Sequence, residues 1–95
     1  MAVELPLTSR EEAARYRALG LWRDRTLYEY FAAVSARLPE KVAIVERDRH
    51  WSFSELQRLI DNLAGNLGEL GLRPGDVVAL QSANSALMPL VHLAC

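Results

Sequence analysis

The sequence lacks three features that would have placed it in a special class of protein. It has a single cysteine, Cys95, so an internal disulfide is excluded. It has no run approaching the roughly 18 apolar residues of a membrane-spanning helix. Its N-terminus, MAVELPLTSREEAARYR, lacks the apolar core of a secretory signal. We therefore expect a cytoplasmic protein without a membrane span.

An excess of charge of one sign is also missing. The chain has 11 basic and 12 acidic residues, which gives a formal net charge of -1. A nucleic-acid-binding domain normally carries a basic patch. The arginines of the first segment do not form one, because Glu4, Glu11, Glu12 and Asp24 nearly cancel their charge. We predict no nucleic-acid partner.

Three helix starts are predicted by the S/T-x-x-E/Q capping box, in which a hydroxyl and an acid or amide satisfy backbone donors reciprocally. The pairs are Ser9 with Glu12 (or Thr8 with Glu11), Thr26 with Glu29, and Ser54 with Gln57. Together with apolar residues at helical spacing, they predict helices over 9–19, 26–38 and 54–70. Gly20 and Gly71 are expected to end the first and third helices, and Pro39 follows the second.

A β-hairpin is predicted between the second and third helices. The apolar run Val42–Val45 favours a strand, and residues 50–53 favour a returning strand with Trp51 and Phe53 on one face. Residues 47–49 would connect the two strands. This connection lacks the Asn-Gly or Asp-Gly pair that is typical of tight hairpin turns.

The stretch GLRPGDVVALQSANS predicts a turn, a buried strand and a helix start. Residues 73–76 suit a type II turn, since proline fixes φ at the second position and glycine accepts positive φ at the third. Residues 77–80 are all apolar, which is typical of an interior strand covered on both faces. Ser85 can cap a last helix that runs to Cys95.

These elements predict an α/β fold with a β-hairpin, flanking helices and the first interior strand of a sheet. That sheet needs further strands, because an interior strand has hydrogen-bonded neighbours on both sides. The last helix is still apolar at Cys95 and has no residue that would close it. We expect these residues to be the start of a longer α/β protein.

No residue pattern in the chain predicts a catalytic, cofactor-binding or metal site. The G-x-x-G-x-x-G at 65–71 fails as a dinucleotide loop, because such a loop follows a strand and opens a helix. Close helix packing and a helix cap explain these glycines better. His50 and His92 lack partners at ligand spacing. Cys95 lacks an activating group, and we expect its thiol to be buried.

The order of these features resembles the beginning of the AMP-dependent synthetase and ligase family. The family pattern is an aromatic-x-E-L helix start after a hairpin, a long leucine- and alanine-rich helix, G-[LV]-x-x-G-D-x-V, and a P-N-S-like corner. The matching residues are Phe53, Glu55, Leu56, Gly71, Leu72, Gly75, Asp76, Val78, Asn84 and Ser85. Departures occur at Glu46-Arg47, Ala83 and Leu87, where the family often has Asp-Gly, proline and an acid.

A narrower resemblance lies in the leader. Its R-Y-R-x-x-G-L-W-x-D-x-T-L run, starting at Arg15, is similar to members that activate cyclic or aromatic acids. Cyclohexanecarboxylate and dihydroxybenzoate ligases are examples. This likeness implies a small carboxylic acid as substrate.

The family resemblance implies the N-terminal part of a large adenylate-forming domain. Such enzymes use ATP and Mg²⁺ to turn a carboxylic acid into an acyl adenylate, and then pass the acyl group to a thiol, usually that of coenzyme A. The family's phosphate loop ending in P-K-G, its Mg²⁺-binding acid and its catalytic lysine have no counterpart before Cys95. We assign no catalytic, cofactor-binding or metal residue, and we expect these 95 residues alone to be inactive.

Residues 1–25 are predicted to form a leader with a surface helix, and residues 26–95 to begin an AMP-binding domain that is incomplete at its C-terminus. The leading hypothesis is an acid:coenzyme A ligase. A second is an adenylating ligase that loads a carrier-protein thiol, and a third is a non-catalytic truncated fragment or interaction module. The third is distinguished by whether the reading frame continues past Cys95 into a P-K-G phosphate loop.

Overall fold

The computed structural model describes residues 8–95, which form four helices and one β-hairpin. In chain order the elements are α1 (Arg10–Ala18), α2 (Leu27–Arg37), β1 (Val42–Glu46), β2 (Arg49–Ser52), α3 (Phe53–Glu69) and α4 (Leu87–Ala94). The strands are antiparallel neighbours, and α3 contacts both strands, α2 and α4. This mixture confirms the predicted α/β class. None of the helices in the described range combines the length and apolar character needed to cross a membrane.

Capping boxes begin α1 and α2 at the predicted residues. The Ser9 hydroxyl accepts a hydrogen bond from the Glu12 N–H at 3.1 Å, and the Glu12 carboxylate accepts one from the Ser9 N–H at 3.2 Å. Thr26 and Glu29 make the same two bonds at 3.1 and 3.2 Å. Each box satisfies two backbone donors at the start of its helix.

The start of α3 differs from the predicted Ser54–Gln57 box. The cap is Ser52, whose hydroxyl accepts from the Glu55 N–H at 3.2 Å, while the Glu55 carboxylate accepts from the Ser52 N–H at 2.9 Å. Both pairs fit the same sequence pattern, but the ionised Glu55 is a stronger acceptor than an amide. The second strand therefore ends at Ser52, and Phe53 lies in the helix instead of sharing a strand face with Trp51.

The hairpin turns through two residues instead of the predicted three. Glu46 pairs with Arg49, so Arg47 and Asp48 form the turn. Arg47 has a φ of 53°, a left-handed conformation that Asn, Asp or Gly adopts more easily than Arg. The turn is therefore tight although it lacks the usual residue pair.

The core is small and lies along one face of α3. Leu56 and Ile60 are 3% and 1% exposed, and burial of each side chain contributes roughly 1.5–3 kcal/mol. Ser35 on α2 is also buried, and its hydroxyl donates to the carbonyl of Phe53 at 3.3 Å. The ring centroids of Phe31 and Phe53 lie 5.6 Å apart. These contacts join α2 to the first turn of α3.

The first helix, α1, packs against no other helix or strand among the described residues, as predicted for a surface helix. Instead, α1 contacts the segment that follows it in the sequence. The rings of Tyr16 and Trp22 lie 5.2 Å apart, and Arg17 Nε donates to Asp24 Oδ1 at 2.9 Å. That ion pair is exposed and contributes little, so the aromatic contact and the backbone bonds from Leu21 and Trp22 to the Tyr16 carbonyl mainly hold the segment against α1.

Residues 77–80, predicted as a buried interior strand, pair with no strand among residues 8–95. Val77 and Val78 are 64% and 42% exposed, and the described sheet contains only the hairpin. A strand needs hydrogen bonds to a neighbouring strand. The described residues supply no such neighbour here, so the predicted pairing and two-sided burial do not form among them.

The last helix, α4, starts close to the predicted residue but has a different cap. Ala86 occupies the cap position and makes no side-chain hydrogen bond. Ser85, one residue earlier, accepts a hydrogen bond from the Leu87 N–H at 3.3 Å. Pro89 lies in the first turn of α4. The N–H groups of a first turn have no acceptor within the helix, so the lack of an N–H at Pro89 costs no helical hydrogen bond.

Candidate functional site

The turn before residue 77 has the geometry that the sequence predicts. Gly75 has a φ of 91°, and the Asp76 N–H donates to the Arg73 carbonyl at 3.0 Å. The Asp76 carboxylate accepts a hydrogen bond from the Arg73 N–H at 2.8 Å. Gly71, with a φ of 98°, ends α3 in the left-handed conformation expected of a cap. These bonds are internal to the turn, so its geometry indicates a scaffold and not a phosphate cradle.

In the corner at 81–86, side-chain hydroxyls also form hydrogen bonds to nearby backbone groups. Ser82 Oγ donates to the Ala83 carbonyl at 2.9 Å, in addition to the bond that Ser85 makes to α4. Asn84 and Ser85 line a cleft of about 320 Å³ together with Glu46 of β1. A carboxylate in this cleft repels a phosphate group. The hydroxyls of Ser82 and Ser85 bond to nearby backbone groups at this corner.

A polar cluster that sequence reasoning missed joins α2 to α3. The Tyr28 hydroxyl donates to Asp61 Oδ1 at 2.7 Å and accepts from Gln57 Nε2 at 2.8 Å. Gln57 Nε2 also lies 3.0 and 3.1 Å from the two oxygens of Asp61. The Gln57–Asp61 spacing is visible in the sequence as an i,i+4 pair on a helix. Nothing in the sequence connects either residue to Tyr28.

The chemistry available to this cluster is limited. The hydrogen bond to Asp61 raises the pKa of Tyr28 above its ordinary value of 10.0, so the phenol remains protonated at neutral pH. A group held in that state is a hydrogen-bond donor and not a base. Tyr28 and Asp61 also line an open cleft of about 520 Å³ that α4 borders with His92 and Leu93. The cluster thus joins α2 to α3 by hydrogen bonds and shows no catalytic arrangement.

The remaining candidates are His92, Cys95 and the glycines inside α3. His92 Nδ1 lies 2.9 Å from the Met88 carbonyl on its own helix, and no group of three or more His, Cys, Asp or Glu residues that could hold a metal occurs in this range. Cys95 is exposed, contrary to the expected buried thiol, because nothing described covers the end of α4.

A Cβ at Gly65 or Gly68 would meet no atom within 4 Å, so the predicted close helix packing at these glycines is absent.

The fold and the turn together define an α/β scaffold. The family model described as "AMP-binding enzyme" matches residues 31–95, which is more than half of the chain. The chain therefore belongs to the AMP-binding enzyme family and corresponds to its N-terminal portion.

Relatives and a solved structure agree with this assignment. The chain is 40% identical over 74 residues to the vibriobactin-specific 2,3-dihydroxybenzoate-AMP ligase of Vibrio cholerae, covering 78% of this chain and 14% of the relative. It is 37% identical over 83 residues to the 2-hydroxy-7-methoxy-5-methyl-1-naphthoate–CoA ligase of Streptomyces carzinostaticus, covering 87% and 15%. The apo structure of Mycobacterium smegmatis MbtA matches with a TM-score of 0.82 and 33% identity, covering 92% of this chain and 16% of that one. The chain thus spans less than a fifth of the length of these proteins.

Proposed function

We propose that these residues form the N-terminal scaffold of a ligase that activates a carboxylic acid with ATP. In the first step a carboxylate oxygen attacks the α-phosphorus, the bond to the β-phosphate breaks, and an acyl adenylate and pyrophosphate result. In the second step a thiol attacks the acyl carbon and AMP leaves. The observation that carries this proposal is the family match over residues 31–95.

An aromatic acid is the proposed substrate class. The two relatives described above are named for dihydroxybenzoate and a substituted naphthoate. The leader run from Arg15 to Leu27 is similar to members that activate cyclic or aromatic acids. Coenzyme A is the proposed acceptor, as in the name of the Streptomyces relative.

A carrier-protein thiol is the alternative acceptor. It is supported by the Vibrio relative, whose name is that of an AMP ligase and mentions no coenzyme A. Both acceptors share the first half-reaction, and they are distinguished by adding each thiol to the same acyl adenylate. A cytoplasmic location belongs to this proposal, since the reaction consumes ATP.

The binding groups for ATP and Mg²⁺ are proposed to lie outside the described residues. The printed bonds of the turn at 73–76 join Arg73 to Asp76, Glu46 lies in the corner cleft, and no candidate metal cluster occurs among residues 8–95. We therefore assign these groups to polypeptide outside the 95 residues and derive no catalytic step from this chain. Its proposed role is to support the site. The proposed boundary at residue 26 fits the isolation of α1 from the other elements.

Acid-dependent exchange of labelled pyrophosphate into ATP tests the proposal. Two polypeptides are compared: the 95 residues alone, and the same residues followed by the sequence that continues their reading frame. The longer one should catalyse exchange with 2,3-dihydroxybenzoate and much less with a medium-chain fatty acid, whereas the shorter one should catalyse none. Exchange by the shorter polypeptide, or none by the longer one with any acid, would contradict the proposal.

A further inference from the structure

A cleft lies beside the segment that joins α1 to α2. It has a volume of about 490 Å³ and is lined by residues 21–26 and by Tyr30 of α2. Trp22 and Tyr30 are 41% and 39% exposed, so part of each ring is accessible. Aromatic rings pack well against other flat rings, and clefts of this size hold small molecules. The cleft therefore suits a small planar ligand.

The contacts that hold Trp22 in place come from outside the cleft. Its ring centroid lies 5.2 Å from that of Tyr16, and the Arg17 guanidinium lies 5.8 Å from the Trp22 ring centroid. The Trp22 N–H also donates to the Tyr16 carbonyl at 3.3 Å. Neither Tyr16 nor Arg17 lines the cleft. A ligand in the cleft therefore meets a ring that is already positioned, which lowers the entropy cost of binding.

Arg25 is held at the cleft by its neighbours on α2. Its guanidinium lies 4.6 Å from the ring centroid of Tyr30, and its Nη2 donates to the Glu29 carbonyl at 3.3 Å. Its Nε lies 3.8 Å from the Glu29 carboxylate, which does not line the cleft. Arg25 therefore fixes the Tyr30 wall, and Glu29 balances most of its charge.

Arg23 supplies a positive charge that has no acidic partner. It lines the cleft and makes no hydrogen bond or ion pair with any residue in the range 8–95. Asp24 also lines the cleft, but its Oδ1 accepts from Arg17 Nε at 2.9 Å. With Asp24 paired to Arg17 and Glu29 near Arg25, one positive charge remains uncompensated. The cleft therefore favours a ligand with a single negative charge.

We propose that this cleft binds a small aromatic monocarboxylate. The ligand's ring packs against Trp22 and Tyr30, and its carboxylate accepts the paired hydrogen bonds that the planar guanidinium of Arg23 can donate. A nucleotide fits less well, because its phosphate carries about two negative charges and Asp24 lies at the same cleft. The inference does not rest on the proposed function, since the lining residues lie within 21–30 and binding needs no ATP.

The indole N–H signals of the two tryptophans measure binding side by side in an NMR titration of the 95-residue chain. Benzoate should shift the Trp22 signal saturably, with a Kd on the order of 1 mM, and barely move that of Trp51, which does not line the cleft. Trp51 is a matched reference, because Arg49 lies 4.7 Å from its ring centroid. Equal shifts of both signals, or no shift of Trp22, would overturn the proposal.

Three further probes separate the ring from the charge. Benzamide has the ring without the charge, and acetate has the charge without the ring. Each should bind at least about tenfold more weakly than benzoate, because each loses one of the two proposed contacts. AMP should also bind more weakly than benzoate. Affinity for benzamide or acetate equal to that for benzoate, or tighter binding of AMP, would contradict an aromatic carboxylate site.

Arginine substitutions test which guanidinium holds the carboxylate. Arg23→Gln should weaken benzoate binding at least about tenfold, and Arg23→Lys, which keeps the charge but loses the planar fork, should have a smaller effect. Arg49→Gln is the matched control and should change the Kd by less than about twofold, because Arg49 does not line the cleft. All three positions are exposed, so circular dichroism should show folded variants. Equal effects of Arg23→Gln and Arg49→Gln would overturn the proposal.

The longer polypeptide tests whether the cleft stays open in the larger protein. The Trp22 signal should respond to benzoate there with a Kd within about threefold of that of the 95-residue chain. Loss of the response would overturn the proposal, because other parts of the polypeptide would then cover the cleft. A preserved response without acid-dependent pyrophosphate exchange would support the cleft and contradict only the proposed function.

Discussion

The hydroxyl of Tyr28 donates a 2.7 Å hydrogen bond to the carboxylate of Asp61, which lies 33 positions later in the sequence. This exposed bond joins α2 to α3, in addition to the bond from the Ser35 hydroxyl to the Phe53 carbonyl. Gln57 completes the cluster by donating to both groups. The cluster sets how α2 lies on α3, so its removal tests how much of the helix packing depends on polar contacts.

Replacing Tyr28 with phenylalanine should lower the melting temperature by a small amount. The ring remains, while the bonds to Asp61 and Gln57 are lost, and Gln57 still holds Asp61. Tyr30→Phe is the matched control, because its hydroxyl makes no hydrogen bond within the described part of the chain. Circular dichroism melts of the two variants provide the comparison. A larger loss for Tyr30→Phe would show that the cluster does not stabilise the fold.

Tyr28 should ionise at a higher pH than an ordinary tyrosine. Its pKa is raised above 10.0 chiefly by the hydrogen bond to Asp61, which ionisation breaks. Because the folded-state pKa lies above the unfolded one, the associated stability is fully present below pH 10 and is lost as the pH rises through the raised value. The phenolate absorbance should therefore include a last phase at high pH that comes from Tyr28. Tyr28→Phe should remove the last phase, and its persistence in that variant would reject the assignment.

The cap of α3 should be sensitive to Ser52 and much less so to Ser54. Ser52→Ala removes the acceptor for the Glu55 N–H and should cost about 0.5–2 kcal/mol of unfolding free energy. Ser54→Ala loses only a 3.2 Å contact with the Ser52 hydroxyl. Urea unfolding followed by circular dichroism measures the unfolding free energy of each variant. A greater cost for Ser54→Ala would restore the capping box first expected from the sequence.

The core should depend strongly on Ile60. Truncation of this 1% exposed side chain to alanine should cost about 2–5 kcal/mol, enough to unfold a domain with so few buried residues. Ile60→Val should cost about 0.5–1.5 kcal/mol and keeps the measurement possible. Leu59→Ala, on the neighbouring position with 36% exposure, is the control and should cost less. A lower urea midpoint for Leu59→Ala than for Ile60→Ala would contradict the described core.

Much of the local structure could be predicted from the sequence because its causes are local. The capping boxes at Ser9 and Thr26, the left-handed Gly71 and the turn at 73–76 each depend on residues within a few positions of one another. The α3 start was missed for a related reason. Two overlapping S/T-x-x-E/Q boxes fit the pattern, and the acceptor strength of Glu55 decides between them.

The remaining features depend on contacts between distant residues or on neighbours that the chain does not supply. No periodicity connects Tyr28 to Asp61, so their bond could not be predicted. Composition correctly marks residues 77–80 as apolar, but burial and strand pairing need a partner that the described residues lack. The family was predicted correctly because motif order is a property of the sequence alone.

Alanine substitutions at two glycines of α3 and its cap should have opposite effects. Gly71 has a φ of 98°, where a Cβ is strained, so Gly71→Ala should cost roughly 1–2 kcal/mol. Gly65 lies inside α3, and an added Cβ meets no atom within 4 Å, so Gly65→Ala should stabilise the helix by up to about 1 kcal/mol. Urea unfolding of the two variants of the 95-residue chain measures the sign of each change in unfolding free energy. A destabilising Gly65→Ala in this chain would mean that another helix approaches α3 closely there, as the sequence first suggested.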